Sequence, residues 1–221
     1  MSNPYQILIK YPSRSRPERF FEGLDSIYNN VVDPDNIHVS CTLDSDDDTM
    51  NNDHVIDRIR TRPNISIQWG LSKSKVDAVN RDLIEYGDII MVYSDDVRTP
   101  FYGFDVFIRN CFDNLDTLVH IPDRDAKEAL ATVYIAGRAF YNRFGYIYHP
   151  SYSSLWCDNE ILAIAKQLGH YKFIDCYGVI EHLNPAYGHL ERDAVFDEQQ
   201  IIGWTDDHKN FLERQARNFD L

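Results

Sequence analysis

Residues 88 to 93, DIIMVY, form a near-continuous apolar run that halts at two adjacent carboxylates, Asp95 and Asp96. A strand that is apolar on both faces has to be covered on both faces, the situation of a parallel sheet held between two helical layers. This stretch therefore predicts an α/β protein, and it puts two acids at the tip of a buried strand.

The flanking sequence repeats the pattern. QILIK (6–10) is a short apolar run, Pro12 and Pro17 punctuate the loop YPSRSRP, and PERFFEGLDSIYNN sets Phe20, Phe21, Leu24, Ile27 and Tyr28 at helical spacing. NIHVSCTL (36–43) alternates Ile37, Val39, Cys41 and Leu43 and ends in the acidic DSDDDT. ISIQW (65–69) predicts a third strand. It leads through GLSKSK into a helix over VDAVNRDLIEYG, with Val76, Val79 and Leu83 inward and Gly87 as its stop. Beyond residue 100 the pattern is more mixed: a helix in FYGFDVFIRNCFDNL, a strand in ATVYIAG, a short helix in RAFYNRFG, an amphipathic helix in DNEILAIAKQLG and a strand in YKFID. The expectation is an open, doubly wound, mostly parallel sheet flanked by helices, as one domain over 1–221.

Composition narrows the function. Asp and Glu outnumber Lys and Arg by 35 to 22, a formal charge of −13, which argues against general affinity for nucleic acid. Lys10, Arg14, Arg16 and Arg19 are a local exception, read either as an anion contact or as a solvated basic loop. Cys41, Cys111, Cys157 and Cys176 are widely spaced without a C-x-x-C, so buried free thiols are expected rather than disulfides or zinc. The N-terminal stretch reverses the order of a secretory signal, and no segment approaches the roughly 18 apolar residues of a membrane span, so a soluble, cytoplasmic protein is expected.

In open α/β sheets ligands sit outside the carboxyl ends of the strands. Here YPSRSRP, DSDDD, GLSKSK and SDD follow the first four strands, acids after two of them and cations after the other two. The loop after the first strand lacks G-x-G-x-x-G, which excludes a dinucleotide-binding oxidoreductase fingerprint, and a P-loop is also missing. The acids from Asp44 onward fail as a calcium loop, with Thr49 at the turn-glycine position and Val55 at the twelfth. Asp95 and Asp96 admit three readings: a turn cap, a divalent-cation site that offsets a diphosphate, or a metal-free acid pair. Asp158 and Glu160 suit the first turn of a helix through the dipole alone, and a single His182 suits a satisfied core.

Taken in order, P-S-R-x-R-P, the acid-ended second strand, G-x-S-K-S-K-x-x-A-x-N, SDD, W-C-D-N-E and E-H-x-N-P resemble the GT-A glycosyltransferases, in particular their family-2-like, inverting, nucleotide-sugar-dependent group, from Ile7 to about Asp193. The resemblance implies a nucleotide-binding half at about 1–100, an acceptor half at about 101–221, and transfer of a sugar from a nucleotide-diphosphate donor, UDP-sugars favoured, to an acceptor hydroxyl that it does not identify. By it, Asp96 and His182 would bind Mn²⁺ or Mg²⁺ at the donor diphosphate. Asp95 would face the ribose or a metal-bound water, with Ser94 beside it. Pro12, Ser13 and Arg14 would line the nucleotide, Asp44 would accept from the base, Lys75 and Asn80 would close over the donor, and Asp158 would be the general base, with Glu160 its rival. The departure is at Tyr93-Ser94, where many relatives carry the first acid of the metal motif. The alternatives are a nucleotidyltransferase, which needs a glycine-rich loop that YPSRSRP does not supply, and a silent nucleotide-sugar-binding module.

Overall fold

The structure, a computed structural model, describes residues 5–221; the first four residues of the N-terminal stretch read for a targeting signal lie outside them. Seven strands form the main sheet: β1 (Ile7–Ser13), β2 (Ile37–Asp44), β3 (Ile65–Gly70), β4 (Ile89–Val92), β6 (Leu118–His120), β7 (Ile135–Gly137) and β8 (Tyr171–Phe173). Their spatial order is β3-β2-β1-β4-β7-β6-β8. β1 pairs in parallel with β2 and β4, β2 with β3, and β6 with β8, while β7 runs antiparallel between β4 and β6. A second, two-stranded ladder joins β5 (Val97–Arg98) to β9 (Glu181–His182).

The DIIMVY run behaves as its pattern requires. Ile89 and Met91 pack on one side of the sheet with Ile7, Ile9, Phe20 and Leu24, and Ile90 and Val92 pack on the other with Phe140, Ile161 and Leu162. The first side is covered by α1 (Pro17–Asn30), which starts with proline at its first position, where a missing N–H costs no bond. The second side is covered by α6 (Cys157–Leu168), which ends at Gly169 in the left-handed conformation. The remaining helices are α2 (Asp53–Arg60), α3 (Lys75–Asn80), α4 (Phe104–Asn110), α5 (Arg138–Asn142), α7 (Ala194–Ile202) and α8 (His208–Ala216). Among the described residues no helix is long and apolar enough to cross a membrane. All four cysteines are free, three of them buried.

The helix expected to run to Gly87 stops at Asn80. Arg81 turns to extended backbone, and Asp82 is left-handed at φ 56°. The Arg81 guanidinium explains the break: it reaches back to Ser72 Oγ at 2.8 Å, the Leu43 carbonyl at 2.9 Å and Asp44 at 3.2 Å, bonds that a continuing helix would withdraw. Gly87 instead turns the chain into β4 at φ 87°, where an added Cβ would stand 2.7 Å from the Leu8 backbone nitrogen.

Candidate active site

The chain winds from β1 outward to β3 and then returns to place β4 on the other side of β1, so the switch point lies between the carboxyl ends of β1 and β4. Ser13 closes β1 and its Oγ lies 3.5 Å from Asp95, which follows β4. Asp95 is buried and paired with Arg16 at 3.1 Å. Burial raises its pKa, and Arg16 opposes the shift without cancelling it.

Asp96 faces a different partner. Ser94 donates its hydroxyl to Asp96, and His182 Nε2 lies 3.3 Å from the other carboxylate oxygen. The short β5–β9 ladder makes this meeting possible: Val97 pairs with His182, and Leu183 N donates to the Asp96 carbonyl at 2.7 Å. Behind His182, Nδ1 stands 3.7 Å from Asp123. Asp123 is itself fixed by the N–H groups of Asp125 and Ala126 and by Thr132. Burial would lower the His182 pKa, but the charge of Asp96 and the contact with Asp123 outweigh it and raise it to about 9. The same pairing outweighs burial at Asp96 and holds its carboxyl well below the usual range. Asp96 and His182 thus form an ion pair whose side chains retain 18% and 17% exposure, enough for a ligand to reach both.

Asp158 sits in the first turn of α6. Burial raises its pKa, while Lys75 and the Asn159 N–H at 2.9 Å pull against the shift. Lys75, exposed at the start of α3, lies within electrostatic reach of Asp95, Asp96, Asp158 and His182, which places these groups in one neighbourhood. Glu160 points elsewhere. It is 2% exposed and accepts from Arg214 at 2.7 and 2.9 Å and from Tyr152 at 2.7 Å, a closed buried network on the α8 side.

The other expected contacts divide. Pro12 pairs with Thr42 within the sheet. Arg14 bonds Asp44 at 2.9 Å and Asp46 at 2.7 Å. Asp44 also accepts from Ser72 N and Oγ and from Arg81, so most of its lone pairs are engaged. Asn80 donates to the Tyr148 carbonyl at 2.6 Å and accepts from the N–H groups of Ile147 and Tyr148, clamping that loop to α3. Sequence reasoning did not single out Asp123, Ser72 or Arg81, and it took Arg16 only as part of a basic segment. Asp123 carried a Pro-Asp turn signal, but nothing in the sequence aims it at His182.

As a cation site the pair is incomplete alone: among the described residues no group of three or more His, Cys, Asp or Glu side chains is placed to hold a metal. One carboxylate with one imidazole is a donor set that suits Mn²⁺ or Mg²⁺ once the cation displaces the proton of His182 and substrate phosphates fill the remaining positions.

No protein-family model matches this chain, and no curated protein matches it. Solved structures do. The mannosyltransferase PcManGT from Pyrobaculum calidifontis, in complex with GDP-Man and Mn²⁺, superposes with a TM-score of 0.66 at 16% identity over 86% of this chain and 61% of that one. Residues 1–349 of TarS from S. aureus superpose at 0.62 with 10% identity, over 95% of this chain and 77% of that one. The present chain thus spans about three fifths of the mannosyltransferase. With its mostly parallel seven-stranded sheet between helical layers, the chain has the GT-A-type fold of these glycosyltransferases.

Proposed function

We propose that this chain is a glycosyltransferase that moves a sugar from a nucleotide-diphosphate donor to an acceptor hydroxyl with inversion. The observation that carries the reading is the convergence of the Asp96–His182 pair, Asp158 and Lys75 at the switch point of a GT-A-type sheet. Asp96 and His182 would hold Mn²⁺ or Mg²⁺, which supplies Lewis-acid stabilisation to the departing diphosphate. Lys75 adds a fixed positive charge on the same side.

Asp158 draws the proton from the acceptor hydroxyl as that oxygen attacks the anomeric carbon opposite the leaving group. A carboxylate whose pKa is raised by burial is a better base than one in water. The buried pair of Glu160 with Arg214 supports Asp158 over Glu160 in this role. Ser13 and Arg16 position Asp95 toward the ribose, Pro12 and Arg14 line the nucleotide, and Asp44 offers its remaining lone pair to the base. Asn80 acts at one remove by holding the 147–148 loop. The mannosyltransferase neighbour binds GDP-Man and Mn²⁺, which supports a nucleotide-sugar donor and a divalent ion here.

A thermal-shift panel of UDP-, GDP-, CMP- and dTDP-sugars, each with and without Mn²⁺, tests the proposal. Stabilisation by one nucleotide class, enhanced by Mn²⁺, is expected. No stabilisation by any of them would sink it, and binding without turnover against acceptor hydroxyls would leave a nucleotide-sugar-binding module.

A further inference from the structure

The loop that delivers Asp158 is fixed from outside the sheet. Asp207, 2% exposed, ends the π-helical turn Gly203–Asp207 that joins α7 to α8. Its carboxylate accepts three successive backbone N–H groups, from Ser153 at 2.8 Å, Ser154 at 2.7 Å and Leu155 at 2.8 Å. On the other side Val76, the neighbour of Lys75, donates its N–H to the Ser153 carbonyl at 3.1 Å. Gly203 completes the seam, since a Cβ there would come within 2.3 Å of the Leu155 side chain.

The next residue is strained. Trp156 takes φ 67°, a left-handed conformation that a bulky side chain avoids unless its surroundings enforce it. Its ring stacks on His208, the residue after Asp207, at 4.3 Å and 25°. Asp158 follows two residues later, so the direction in which it leaves α6 is set by this enforced backbone. π-turns of this kind occur frequently at functional sites.

We infer that Asp207 is a positioning residue for Asp158: its buried carboxylate, by gathering the N–H groups of Ser153, Ser154 and Leu155, holds Trp156 in its left-handed state and aims Asp158 at the space beside Lys75. The inference rests on the proposed role of Asp158 as base. It gives the C-terminal helices a part in catalysis that no contact with the substrate would reveal.

Asp207→Asn tests it, because the amide keeps the shape but turns an N–H₂ toward one of the three donors. Amide exchange at residues 153–155 is expected to rise about tenfold. Turnover of the donor, by transfer or by slow hydrolysis, is expected to fall about a hundredfold with the donor KM within about twofold. The exposed neighbour Asp206, changed to Asn, should alter neither. If Asp207→Asn does not fold, Asp207→Glu, which keeps the charge but moves the carboxylate by one methylene relative to the three N–H groups, carries the same expectation.

Wild-type turnover in the folded variant, or a loss that tracks donor affinity, overturns the inference. A wild-type chain that binds no nucleotide sugar overturns the functional reading instead. The carbon-13 carboxyl resonance of Asp158 then decides the positioning alone: it moves in Asp207→Asn if the clamp aims Asp158, and stays if it does not.

Discussion

Asp158 and Glu160 lie two positions apart in one helical turn and meet opposite fates, which makes them separable by mutation. Asp158→Asn should leave donor affinity within about twofold and abolish transfer, because it removes a proton acceptor and little volume. Glu160→Ala should do the reverse. Stripping the partner from the buried Arg214 costs about 3–5 kcal/mol of stability, read by urea unfolding, while the fraction that remains folded keeps its turnover. Transfer at the wild-type rate in Asp158→Asn would place the base elsewhere.

Lys10 supplies a second residue-scale test. It is fully buried, donates to Thr42 and to the Arg81 carbonyl, and burial lowers its pKa to about 8. In the unfolded chain a lysine titrates near roughly 10.4. Between these values the unfolded chain binds more protons, so the lysine's contribution to stability rises with pH through this window, on the order of 1 kcal/mol per pH unit crossed. Unfolding measured from pH 7 to 10 should therefore show wild type gaining on Lys10→Met as pH climbs, and parallel curves would refute the assignment.

At the scale of elements, the close approach of β1 to the turn before β4 is the most exacting joint. Gly87→Ala puts a side chain both at positive φ and against the Leu8 backbone, and should destabilise the chain by about 1–3 kcal/mol, measured as a lower urea midpoint. The strands around this joint were legible because the physics that forms them is local: DIIMVY is apolar at every position, and NIHVSCTL alternates. The end of α3 was not, because what stops it is the Arg81 guanidinium returning to Ser72 and Asp44, a tertiary bond with no signature in VDAVNRDLIEYG. The same holds within the site. The resemblance put Asp96 and His182 together and the structure brings them within 3.3 Å, but that Glu160 turns to Arg214, that Asp123 backs His182 and that Asp207 gathers three N–H groups depends on partners 54, 59 and 52 to 54 residues away, which periodicity cannot report.

The whole molecule carries a formal charge of −13, an excess of acids that the ion pairs within the site do not offset. Self-repulsion on this scale is long-ranged and screened by salt. Raising NaCl from a few millimolar to about 0.15 M should raise the thermal midpoint, the opposite of what a fold held mainly by its surface ion pairs would show.

The two-residue ladder between β5 and β9 joins Val97 to His182 across most of the chain's second half. During synthesis β1 to β4 precede His182, so Asp96 is made well before the partner that pairs with it. The strands that carry Asp96 are thus made before the partner that completes its ion pair, so formation of the sheet's first half does not depend on that pair.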